Sequence, residues 1–148
     1  MAVELAPSTE AMQAIVLRIN GGEYALPFAA DYGESMIDIM EDIRALRVDV
    51  IAESEQQLNE TLTLEDPTSH LIRVWIRRRV NPDDGNVDKL KLIVRQIYQR
   101  LNDFDSADGR VRVWELDMDS KQVPDKSMLA SNHVFIASML MRIEVEPS

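Results

Sequence analysis

The chain has 148 residues, enough for one domain with a core of its own. Its 26 acidic and 16 basic residues leave a formal net charge of −10, a surface that repels nucleic acid and anionic membranes unless basic residues gather locally. Cysteine is absent, which excludes a disulfide framework, a thiol nucleophile and a cysteine-held zinc; no apolar run approaches the roughly 18 residues that cross a bilayer. The opening MAVELAPSTE has neither the basic region nor the apolar run of a signal peptide. The expectation is one cytoplasmic domain over 1–148, with 1–7 flexible.

In chain order, residues 8–20 predict a helix. Met12, Ile15, Val16 and Ile19 fall at helical spacing, Ser8 or Thr9 can cap the start, and Gly21-Gly22 ends it. Tyr24–Phe28 reads as a short extended piece. Pro27 cannot donate to a ladder, so the piece belongs at an edge or in an arm. Residues 34–43, with Met36, Ile37, Met40 and Ile43, suggest a short helix. A strand over roughly 44–52 follows, with Leu46, Val48 and Val50 on one face. Residues 53–69 are polar and read as a loop, long enough to suggest a role in contacts.

The most structured stretch is 70–101. Ile72, Val74, Ile76 and Val80 alternate with Arg73, Trp75, Arg77 and Arg79, the period of a half-buried strand. Beyond Pro82-Asp83-Asp84-Gly85 the period becomes helical. Val87, Leu90, Val94, Ile97, Tyr98 and Leu101 form one apolar stripe, with Asn86 placed as N-cap. The turn NDFDSADG then leads to a strand near 110–118 and a polar loop over 119–130. A last strand over about 132–145 has an apolar face of Phe135, Ala137, Met139, Met141, Ile143 and Val145. This order predicts an α+β domain whose mainly antiparallel sheet packs its helices on one face.

No catalytic group stands out. His70 and His133 each adjoin a strand start with no serine or carboxylate motif tied to them, and a triad needs nucleophile, base and orienter together. Asp103, Asp105 and Asp108 suggest a calcium loop. Counting Asp103 as position 1, however, puts Ala107 at 5, Gly109 at 7 and Trp114 at 12, which fails the EF-hand spacing. An Asx-rich turn fits better. No catalytic residue, metal site or cofactor is expected. The methionines read as core filling, with Met36 and Met40 open to an adaptable partner surface. The arginines are more suggestive. Arg73, Arg77 and Arg79 share a strand face with Trp75, either as a solvated outer face or as a basic strip that meets an acidic neighbour. In so acidic a chain, pairing between subunits fits such a strip better than DNA binding does.

Taken together these segments resemble the tail terminator, or tail completion, proteins of long-tailed bacteriophages. The resemblance runs over most of 8–145. It rests on the opening helix, on Tyr24-Ala-Leu-Pro27-Phe28, on the acidic stretch running into LRVDVIAES, and on the 70–80 strand with its PDD turn and VDKLKLIVRQIYQRL helix, followed by two C-terminal strands. The approach Asp66-Pro-Thr-Ser-His70 departs from the acidic or aromatic residue that such proteins often carry there. What the resemblance implies is an α+β structural subunit of the virion's tail-neck region, assembled in the host cytoplasm. It would close into a homo-oligomeric ring, typically a hexamer, on the last ring of tail tube protein. The ring would stop tube growth, meet the head-completion or connector protein and let the genome DNA pass without sequence-specific binding. Arg73, Trp75, Arg77, Arg79, Tyr24 and Phe28 are the candidate inter-subunit or partner contacts. The alternatives are a head-tail neck connector, a small metal-dependent enzyme using Asp103–Asp108 with His70, and an adaptor that binds peptides along a sheet edge.

Overall fold

The computed structural model describes residues 6–33, 45–57, 67–80, 86–118 and 133–146, with the backbone alone for 54–57 and 118. Among them run helix α1 (Pro7–Asn20), strands β1 (Ala30–Gly33), β2 (Arg47–Gln57) and β3 (Thr68–Arg79), helix α2 (Asn86–Leu101), and strands β4 (Val111–Met118) and β5 (Val134–Val145). The strands form one sheet in the order β1-β2-β3-β5-β4. The β1–β2 pair is parallel and the other pairs are antiparallel. The expected α+β class, with helices against one face of a mainly antiparallel sheet, is the architecture found.

Register explains the two faces. Across β3 and β5, Ile76 pairs with Ala137, Val74 with Met139 and Ile72 with Met141. Because side chains alternate along a strand, these pairs share one side of the sheet. Buried there against them are Ala11, Met12, Ile15 and Ile19 of α1 and Leu90, Ile93, Val94, Ile97 and Leu101 of α2. The intervening pairs, Arg77 with Ile136, Trp75 with Ser138 and Arg73 with Leu140, face the other way. On that side Val134 and Ile136 form a small second cluster with Trp75.

Several boundaries differ from expectation. Helix α1 starts at Pro7 with Ala6 as N-cap, and Ala6 O accepts the Glu10 N–H at 2.9 Å. Proline's fixed φ and missing N–H suit the first turn, so Ser8 and Thr9 lie inside the helix rather than capping it. Tyr24–Phe28 is not a strand. The edge strand lies just beyond it, at Ala30–Gly33, while Tyr24, Leu26 and Phe28 fold half-buried against the core. The stretch read as a loop over 53–69 is strand at both ends. Backbone pairing carries β2 to Gln57 opposite Thr68, past a bulge between Ala52 and Ser54. Polar side chains hid this, because backbone hydrogen bonding is indifferent to them. The expected short helix over 34–43, the turn over 82–85 and the loop over 119–130 lie outside the described residues. Helix α2 begins at Asn86 itself.

Both sheet edges are partly occupied from within the chain. At β1 the Asn20 carboxamide accepts the Ala30 N–H at 2.7 Å and donates to Ala30 O at 3.1 Å. At β4 the preceding turn folds back. Val113 N–H donates to Phe104 O at 2.9 Å, and Ser106 N–H donates to Val111 O at 2.8 Å. Occupied edges resist indiscriminate pairing with other chains.

A candidate interaction surface on the second sheet face

The candidate strip lies on the sheet face away from the helices, where β3 runs between β2 and β5. Strand alternation on β2 puts Asp49, Ile51 and Glu53 on this face and Val48 and Val50 in the core. Asp49 sits opposite Trp75 and Ile51 opposite Arg73. Arg73 and Arg77 therefore reach diagonally across the pair for their acids, within the span of long side chains. Arg77 Nη2 donates to Asp49 Oδ2 at 2.8 Å. Arg73 bonds both carboxylate oxygens of Glu53, and its guanidinium lies 5.5 Å from the centroid of the Trp75 ring. Arg47, paired in register with Arg77, adds a longer contact of 3.5 Å to Asp49.

This arrangement separates the candidate residues. Arg77 is 1% exposed and held by Asp49 of its own chain. Arg73 and Trp75 are half-buried, and Arg79 alone of the strip is exposed. Tyr24 and Phe28 are not with them. Their rings pack at a tilt of 40° with centroids 4.7 Å apart on the helix side of the sheet, and the Tyr24 hydroxyl donates to Ile19 O at 2.6 Å. Burial pushes the Tyr24 phenol up, while Arg100 and Arg18 pull against the shift. Sequence reasoning placed the four strip residues on one face and missed Asp49 and Glu53 as their partners. The signal was present in RVDVIAE, where the acids recur every fourth residue on the face opposite Val48 and Val50.

The acidic turn after α2 and the histidine do not come together. His70 is fully buried on the core side, its Nε2 2.7 Å from Thr68 Oγ1. Asp108 Oδ1 accepts the Ser106 hydroxyl at 2.6 Å and the Arg110 N–H at 3.1 Å, and these two bonds hold its carboxyl below the usual range. Gly109 takes a φ of 72° and Asp103 one of 59°, as the Asx-rich reading requires. Among the described residues no group of three histidine, aspartate or glutamate side chains is arranged to hold a metal ion, and no helix is long and apolar enough to cross a membrane.

No protein-family model matches the chain, and neither does any curated protein.

One carboxyl on this face is perturbed. Glu144 lies opposite Arg112 across the β4–β5 pair. Its pKa is raised first by burial, then by the hydrogen bond with Glu146 and the charge of that neighbour; Trp114 and Arg112 act in the opposite sense. For an acid, a raised folded pKa means that the folded state holds the proton more tightly than the unfolded one. The ionised form therefore opposes folding at neutral pH, and the opposition fades as pH falls through the raised value. Glu144→Gln is expected to stabilise the protein at about pH 7 and to lose that advantage by about pH 3, below the ordinary carboxyl range. Urea unfolding midpoints at the two pH values check it. An equal gain at both would mean that ionisation is not the cause.

Proposed function

We propose that this chain is a structural assembly subunit of the tail-terminator kind, acting by binding rather than turnover. In this reading copies form a ring, typically hexameric, on the last ring of the tail tube. The ring halts tube growth and offers its far side to a head-completion protein. The observation that supports the reading most is the fold. An N-terminal helix, a mainly antiparallel sheet with helices on one face, and a strand followed in the chain by helix α2 and two C-terminal strands are in keeping with the architecture that the resemblance implies. The second sheet face adds support of a different kind, because it carries ion pairs beside a small apolar cluster, the mixture of groups that a protein contact uses.

The reading is tested by deleting the gene from the phage or prophage that carries it and viewing the particles by electron microscopy. Tubes longer than normal and without heads are the expected result. Tails of normal length beside loose filled heads would assign the chain to the neck as a connector. Normal infectious particles would overturn both roles.

A further inference from the structure

The outer face of α2 departs from the charge pattern of the rest of the chain. Four arginines outside α2 are paired with acids of their own chain: Arg110 bonds Glu10 at 2.6 Å, Arg112 meets Asp105 at 3.4 Å, and Arg73 and Arg77 hold Glu53 and Asp49. Lys89, Lys91 and Arg95 are exposed, and among the described residues none of them has an acidic partner. This occurs in a chain with a net charge of −10. Leu92 lies among them and is 47% exposed. It has Lys89 three residues before it and Arg95 three after, so on a helix each of these is its surface neighbour.

Within the isolated chain this placement is unfavourable. Lys91 and Arg95 stand four residues apart, the spacing at which like charges on a helix repel. Lys89 lies in the first turn, where the helix dipole is positive and favours acids. Asp88 is the one acid in the α2 sequence. The other end has the opposite sign. Immediately beyond Leu101 the chain turns through Asp103, Asp105 and Asp108, all exposed. The α2 unit thus presents a cationic face with an apolar centre near its start and an anionic turn beyond its end.

We propose that the α2 face of one copy, Lys89, Lys91 and Arg95 around Leu92, docks on the Asp103–Asp108 turn of a second copy. The match is one of complementary charge, and the two surfaces differ, so the contact is head-to-tail and leaves the turn of the first copy and the α2 face of the second free for further copies. Repetition then gives a closed ring or an open filament. For its biological setting the contact rests on the assembly-subunit reading, to which it adds the surface through which copies meet. Because the charges are exposed, the association weakens as salt is raised.

The test is a charge swap followed by sedimentation velocity on purified full-length protein. Wild type self-associates in low salt and dissociates in high salt. K91E/R95E and D103K/D105K, each alone, remain monomeric, because like charges then face one another. Mixed in equal amounts, the two variants associate again, since each now offers what the other lacks. Position 103 has a left-handed backbone that suits lysine poorly, so D105K/A107K serves as the second turn variant, and circular dichroism checks that each variant is folded. A wild type that stays monomeric, a variant that associates like wild type, or a mixture that stays apart would each overturn the contact. Failure here is separable from failure of the terminator reading. Overlong tails on gene deletion would leave that role standing whatever the swap shows, and restored pairing beside a normal deletion phenotype would retain the contact and remove the role.

Discussion

Asp49→Ala should cost about 3 kcal/mol of stability, lowering the melting temperature by roughly 10 °C in a domain of this size. Arg77 is 1% exposed and bonds the Asp49 carboxylate at 2.8 Å. Taking away one member of a buried pair leaves the remaining charge in a medium that solvates it poorly, which is costlier than losing a contact at the surface. Asp49 keeps some contact with water, its side chain being 16% exposed, which sets the expectation at the lower end of the range for buried pairs. The same substitution deprives Arg47 of its 3.5 Å contact, a minor loss for a more exposed group. Asp49→Ala combined with Arg77→Met should be more stable than Asp49→Ala alone, because the buried charge is then removed together with the carboxylate that balanced it. Urea unfolding of the three proteins decides it. A loss below about 1 kcal/mol for Asp49→Ala would class the pair with ordinary surface bridges.

Gly22→Ala should cost about 2 kcal/mol. The backbone is not the reason, since a left-handed φ is found at Gly109 and not at Gly22. The constraint is space. A Cβ at position 22 would stand 2.7 Å from Arg100 Cδ, 2.7 Å from the Tyr24 hydroxyl and 2.9 Å from Arg100 Nε. Arg100 is flexible, but it is engaged: its Nε donates to Arg18 O, while Arg18 Nε donates to Arg100 O at 3.0 Å. The two arginines thus cap the last turns of α1 and α2 reciprocally, where cations also suit the helix dipole. Arg18 lies in addition 5.2 Å from the centroid of the Phe104 ring. To admit a methyl group, Arg100 must leave that clamp. The penalty of Gly22→Ala should therefore shrink in an Arg100→Ala background, a coupling that thermal unfolding of the single and double variants measures. Equal penalties in both backgrounds would mean that Arg100 is not what the methyl group displaces.

Both predictions rest on partners that pattern reading could not supply. Gly21-Gly22 reads from sequence as a helix stop, and the helix does end there. That a glycine is required because an arginine from position 100 passes over it depends on how α1 and α2 cross. Likewise the alternation of β3 predicts that Arg73, Trp75, Arg77 and Arg79 share a face, and they do. It does not predict that Arg77 is among the most buried side chains of the protein.

The sequence by itself determined the elements with strong periodicity. The α2 stripe, the β3 alternation and the apolar face of β5 emerge close to their expected bounds, because each needs only its own residues to declare a period of 3.6 or 2. It also determined the class of the fold, since the order and lengths of such elements leave few ways to bury their apolar faces. Tertiary structure decided the rest. The extension of β2 and β3 through polar residues comes from backbone pairing between strands, which has no side-chain period to read. The sheet order β1-β2-β3-β5-β4 and its registers bring Asp49 and Glu53 within reach of Arg77 and Arg73. Only that juxtaposition makes Arg73 and Arg77 part of what holds the sheet together, because strand alternation tells which face a side chain takes and not which residue of the next strand it meets.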